Sequence, residues 1–258
     1  MPYAAVPLYV CRICQSLGST DMKNLGISAV FGLFLGVSSN ASAGPILNIS
    51  EQGLSAASVA EQAFLDSAGP GYLTETFDDN SNYNIGNQSA TIISSLGVGS
   101  FHRAEPGSGG LCDSGSYSCE AGFAVLDDEA SPFNGRYSVS GDNWLDSMDA
   151  RQMVISPAVG FNSIGFYITD PNDAGGRLSV GGVDFDFDNI FGSSLGNGGI
   201  FYVTLFDVAG LGNVSLFSNN PDDGYGIDNV TVANVTEPGT LALFALGLLG
   251  LGLARRSK

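Results

Sequence analysis

Between Gly44 and Thr240 this 258-residue chain contains no lysine. Four arginines there (Arg103, Arg136, Arg151, Arg177) face 25 acidic residues, for a formal charge near −21. A field of that sign repels nucleic acid and anionic membrane surfaces, which excludes both as partners. Divalent cations and neutral glycans stay compatible, and an acidic surface that only keeps an exported protein soluble gives the same charge. Histidine occurs once in the chain, as His102 in Ser100-Phe101-His102-Arg103. A Ser-His-Asp hydrolase would have to use it, whereas a lone loop histidine is usually a surface or turn residue. No catalytic residue is assigned. Cysteine numbers four. Cys11 and Cys14 form a C-x-x-C, but the second pair that a zinc site needs is missing.

Long apolar runs are confined to the two ends of the chain. After Met22-Lys23, residues 25–37 are apolar and glycine-rich, and the stretch closes on Ala41-Ser42-Ala43. One positive charge, an apolar run of about a dozen residues and a small-x-small close make a secretory signal peptide over 22–43, cut between Ala43 and Gly44. Residues 1–21 lie upstream of it and are expected to be a start-site extension, with Cys11 and Cys14 absent from the mature protein.

At the other end, Val235-Thr236-Glu237-Pro238-Gly239-Thr240 precedes an apolar run over 241–254 and the close Arg255-Arg256-Ser257-Lys258. As a helix the run spans about 21 Å at about 1.5 Å per residue, short of the roughly 30 Å hydrocarbon core, and flanking residues or local thinning make up the rest. The terminal cations stay cytoplasmic and the body outside. This tripartite tail over 235–258 resembles the PEP-CTERM sorting signal of Gram-negative bacteria. Thr236 stands where that family has its first proline, while Glu237, Pro238, Gly239, Arg255 and Arg256 agree with it. The resemblance implies processing by an exosortase-like enzyme, transient residence in the inner membrane, and association with exopolysaccharide or biofilm at the cell surface or in the matrix.

The intervening body, 44–234, reads as one all-β domain, a β-sandwich of jelly-roll type. A short helix fits 54–65, broken by Gly69-Pro70-Gly71. Strands are expected over 73–77, 89–93, 121–126, 136–140, 152–156, 163–169, 178–180 with 183–187, 199–206, 213–218 and 226–232. Several alternate apolar and polar residues, and glycine-rich turns such as Asn134-Gly135 and Gly181-Gly182 separate them. Cys112 and Cys119 bracket six residues; in an exported chain they are expected to pair, contributing on the order of 2 kcal/mol by loop closure.

Candidate chemistry rests on carboxylates. Asp170-Pro171-Asn172-Asp173-Ala174-Gly175-Gly176 carries calcium-type oxygen ligands at Asp170 and Asp173, without the EF-hand's closing glutamate. Glu75 and Asp78 on an early strand and Asp228 on the last one look like the calcium-holding positions of carbohydrate-binding-module jelly rolls, where calcium is structural. Trp144, the sole tryptophan, lies between Asp142-Asn143 and Asp146, and is either core or a sugar-stacking platform. The leading expectation is a non-enzymatic exported matrix or surface protein. The alternatives are a calcium-dependent carbohydrate-binding protein, and a secreted glycan hydrolase using two carboxylates about 5 to 9.5 Å apart.

Overall fold

In the computed structural model, which describes residues 44–113, 116–171, 175–192 and 196–235, the alternating segments pair into two antiparallel sheets. In chain order the strands are β1 (Ile46–Ile49), β2 (Leu73–Glu75), β3 (Thr91–Ile93), β4 (Gly99–Glu105), β5 (Ala124–Asp127), β6 (Asn143–Asp146), β7 (Gln152–Pro157), β8 (Ser163–Thr169), β9 (Arg177–Val180), β10 (Val183–Asp186), β11 (Ile200–Phe206), β12 (Val214–Phe217) and β13 (Gly226–Ala233). Helix α1 is Leu54–Ala68 and the single turn α2 is Phe187–Ile190. One sheet runs β1-β11-β8-β13-β6-β5, with β2 also on β13; the other runs β10-β9-β12-β7-β4-β3. The expected all-β sandwich is what forms.

Period-two alternation places the core. Ile164, Phe166 and Ile168 of β8 and Phe201, Val203 and Leu205 of β11 face Phe101, Ile155, Leu178 and Leu216 of the second sheet. The opposite face of the first sheet is also covered: Tyr167 and Tyr202 pack beneath Ala57 and Phe64 of α1. That double cover buries all seven residues of β8 and all eight of β13. Gly165 lets the helix settle, because a Cβ there would press into the Tyr202 hydroxyl and the Phe64 ring. Each large apolar side chain so buried contributes about 1.5–3 kcal/mol.

The structure departs from the sequence reading at particular strands. Residues 136–140 form no strand; Val139 and Ser140 donate their N–H groups to the Asp228 carboxylate instead of a ladder. Conversely, Ile46–Ile49, Gly99–Glu105 and Asn143–Asp146 pair as strands although they read as loop. The helix extends past residue 65 to Ala68, where Gly69 takes a φ of 63°.

Short loops sort into two ends. Val235, Ser163, Phe206, Ile46, Leu73, Pro157, Val180 and Val214 share one end, fixed by the pairings Ala233↔Ser163, Phe206↔Ser163 and Ile46↔Phe206 and by the 157–163 and 206–214 connections. Asp146, Thr169, Gly226, Gln152, Phe217 and Arg177 mark the other.

Candidate functional site

At the second end, the chain turns at Gly135 and sends Arg136 inward, where it is 5% exposed. Nη1 donates to Asp146 Oδ1 at 3.1 Å; Nη2 donates to Asp149 Oδ1 at 2.7 Å and Asp223 Oδ1 at 3.1 Å. The guanidinium carbon lies 4.2 Å from the Phe133 ring centroid. Burial alone would lower the Arg136 pKa, yet the Asp146 and Asp149 carboxylates win and raise it, so the cation is fixed. Burial pushes the Asp149 carboxyl up, against the pull of Arg136. Asp146 also accepts from Trp144 Nε1 at 3.1 Å and Met148 N at 2.9 Å.

Above this ion cluster opens a polar cleft of about 150 Å³ lined by Asn134, Arg136, Asp149, Asp170, Asn197 and Asp222, among others. Its wall holds two of the five non-glycine residues with positive φ among the described residues, Asp149 at 60° and Asp170 at 63°, and Met148, at 51°, precedes the first of them. Such backbone costs on the order of 1–3 kcal/mol per residue and concentrates where structure over-determines a site. Asp170, buried, accepts from Gly198 N at 2.6 Å and ties the 196–199 turn to the cleft. Because three aspartates neutralise Arg136 and two more line the opening, the cleft suits a cation or a hydroxyl-rich neutral ligand and disfavours anions.

The expected calcium set does not converge. Glu75, 1% exposed, is saturated by donors: Phe77 N on Oε1 at 2.9 Å, and Tyr83 Oη (2.7 Å), Ser94 Oγ (2.8 Å), Ser95 Oγ (3.1 Å) and Leu96 N (3.2 Å) on Oε2. Those hydrogens occupy the lone pairs that a cation would need. Asp78 brackets Asp142 N at 2.9 Å and Asn143 N at 3.1 Å. Asp228 brackets Val139 N at 2.7 Å, Ser140 N at 3.1 Å and Asn229 N at 2.7 Å. Burial nonetheless pushes the Asp228 carboxyl up to about 7, opposed by those N–H groups and reinforced by Asp78. All three carboxylates therefore hold loops. Among the described residues, three ligand-type side chains come within 4.8 Å of one another at Cys112, Cys119 and Asp149, and the disulfide takes both sulfurs.

Trp144 is a correction to the sugar-platform alternative. Its ring is wholly buried against Cys112, Cys119, Leu126, Phe133 and Met148, so no face meets solvent. Indole and disulfide together form a second small core beneath the cleft. The Cys112–Cys119 pairing is as expected.

His102 lies on β4 with Nε2 2.7 Å from Ser100 Oγ and Nδ1 3.1 Å from Thr91 Oγ1. A triad would need a carboxylate where Thr91 stands. A Gly-x-Ser-x-Gly spacing occurs at residues 192–196, and its central Ser194 lies outside the described residues.

Asp173, Ala43, Thr236, Glu237, Pro238, Gly239, Arg255 and Arg256 lie outside the described residues, and Gly44 is the first described one. Sequence reasoning missed Arg136, which it placed at a strand start; four arginines among 25 acids was the available signal.

No curated protein and no solved structure matches the chain. A family model does: the PEP-CTERM protein-sorting motif, at residues 234–256. The chain therefore carries a PEP-CTERM sorting motif at its carboxyl end, which indicates an exported protein sorted through the membrane and processed by an exosortase.

Proposed function

We propose that this is a non-enzymatic cell-surface or matrix protein, held at the inner membrane by its tail, cut by an exosortase-like enzyme, and then associated with exopolysaccharide. The sorting motif at 234–256 carries the reading. The absence of lysine from 44–240 adds a supporting reason, since a body near −21 stays dispersed among neutral polysaccharide and off anionic surfaces. The test is expression of the full chain, with an epitope in the body, in matched hosts with and without an exosortase. Intact mass should show the 241–258 segment lost in the first host and kept in the second. An identical tail-bearing product in both hosts would overturn processing. Affinity electrophoresis of the processed body through the host's own polysaccharide then tests the association, with unretarded migration as the contrary result.

The Arg136 cleft favours a second reading, calcium-assisted binding of a neutral glycan. Its oxygen-rich lining at Asn134, Asp149, Asp170, Asn197 and Asp222 is the supporting observation. Calorimetric titration with calcium should show one site in the native chain and a loss of at least tenfold in affinity in Asp222→Asn, an effect on the order of one removed charge–ligand contact. No heat in the native chain sinks this reading.

A further inference from the structure

Eleven large apolar side chains are exposed among the described residues, and they are not scattered. Ile46, Tyr72, Leu73, Ile93, Leu96, Val159, Val183 and Val208 all lie at the end of the sandwich where the chain leaves through Val235. Val159 is fully exposed and Ile93 is 71% exposed. The segments that build this end (44–46, 66–73, 93–99, 157–163, 180–183, 206–214 and 233–235) carry two charged residues, Asp66 and Asp207. A groove of about 380 Å³ between α1 and the β1–β11 edge also reaches this end, past Ile46, Ala63, Phe64, Phe206 and Val235, and none of its lining residues is charged. In a body near −21, an apolar end with two charges is an organised feature.

We infer that this end is a platform that rests on the lipid bilayer while the sorting tail is intact. The inference rests on the sorting reading and adds to it the orientation of the folded body. Chain length supplies the occupant. Residues 236–240 separate Val235 from the apolar run that starts at Leu241. Fully extended, that connection reaches at most about 20 Å, so a tail in the membrane holds this end, and no other, against the surface. Electrostatics agree. The acidic cleft sits at the far end of seven-residue strands, about 20 Å away at roughly 3.3 Å per residue, beyond the Debye length of about 8 Å at physiological salt. The platform therefore meets lipid without bringing the carboxylates into repulsion with it.

The experiment uses the full chain, expressed in a host without exosortase, purified from membranes with the tail intact and placed in phosphatidylcholine vesicles. An environment-sensitive fluorophore is attached through Ile93→Cys, Val159→Cys or, as the far-end control, Asp188→Cys, with nitroxide-labelled lipid as quencher. All three positions are exposed or at a strand end, so folding is retained. Strong quenching at 93 and 159 with little at 188 is expected, given the strand length between them. Ile93→Asp, read from the label at 159, should shift the apposed population roughly tenfold toward detachment, the effect of one lost apolar side chain. Equal quenching at all positions, with the chain still floating with the vesicles, overturns the platform and leaves the sorting tail standing. Failure to float overturns both. Self-association of the tail-cleaved chain through 93 and 159 assigns the surface to a second copy and overturns the proposal.

Discussion

The two ends of the sandwich solve opposite problems with the same strands. At the cleft end, charge goes inside: Arg136 gathers Asp146, Asp149 and Asp223 around one guanidinium, over a floor of Trp144 and the Cys112–Cys119 disulfide. At the tail end, apolar side chains go outside, and the one wholly buried carboxylate nearby, Glu75, is spent on the N–H and O–H groups of 94–96 and on Tyr83. The difference teaches how a strongly acidic chain partitions its charge. Where a cation is available, carboxylates can be buried in numbers; where none is, a single carboxylate survives burial by accepting every donor in reach.

Removing that cation is the harshest way to break the contrast. Arg136→Met leaves Asp146 and Asp149 buried without a counter-charge and should cost about 3–5 kcal/mol. Denaturant unfolding of the disulfide-intact protein measures it, and an unchanged midpoint would mean that the cluster contributes nothing net. Between the two ends sits Asp228, whose folded pKa of about 7 lies above the unfolded value of about 3.9. The folded state then binds more protons than the unfolded one between pH 4 and 7, so this group's contribution falls as pH rises through that window. At about 1.4 kcal/mol per unit the fall amounts to up to about 4 kcal/mol. Unfolding at pH 4.5, 6 and 8 should show it, and Asp228→Asn should flatten the slope; a native slope equal to the variant's would refute the assignment. The mildest test is at the tail end. Glu75→Gln converts half of an acceptor pair into a donor that faces the Ser94 and Ser95 hydroxyls. We expect a loss of about 1–3 kcal/mol, with faster amide exchange confined to residues 94–98. Exchange that rises uniformly would show that Glu75 supports the whole core and not this loop.

The alternation in Ile164 to Thr169 and Gly226 to Val232 made the central strands readable, because the large apolar residues of each recur on the face that enters the main core. Strands β1, β4 and β6 were not, although the edge strands β3, β5 and β10 were. Asn143-Trp144-Leu145-Asp146 reads as a polar loop, and it becomes strand because its side chains enter two cores, Leu145 the main one and Trp144 the small one beneath the cleft. Asp228 and Asn229 interrupt the register of β13 against β8, and Asn229 takes a φ of 47°. That bulge turns Asp228 toward 139–140, and nothing in the local sequence announces it. The carboxylates were visible as clusters, but their partners were not, because a hydrogen-bond partner such as Val139 for Asp228 is 89 residues away along the chain.

Sequence alone determined the parts whose physics is local: the sorting motif, which is a run of apolar residues between a Pro-Gly and a basic stop, the sign of the body's charge, and the period-two strands that dictate a sandwich. Only tertiary structure decided which end of that sandwich is acidic and which apolar, that Trp144 is core, and that Arg136 neutralises three aspartates. Each of these depends on side chains brought together from distant strands, and a one-dimensional pattern does not encode the distance between them.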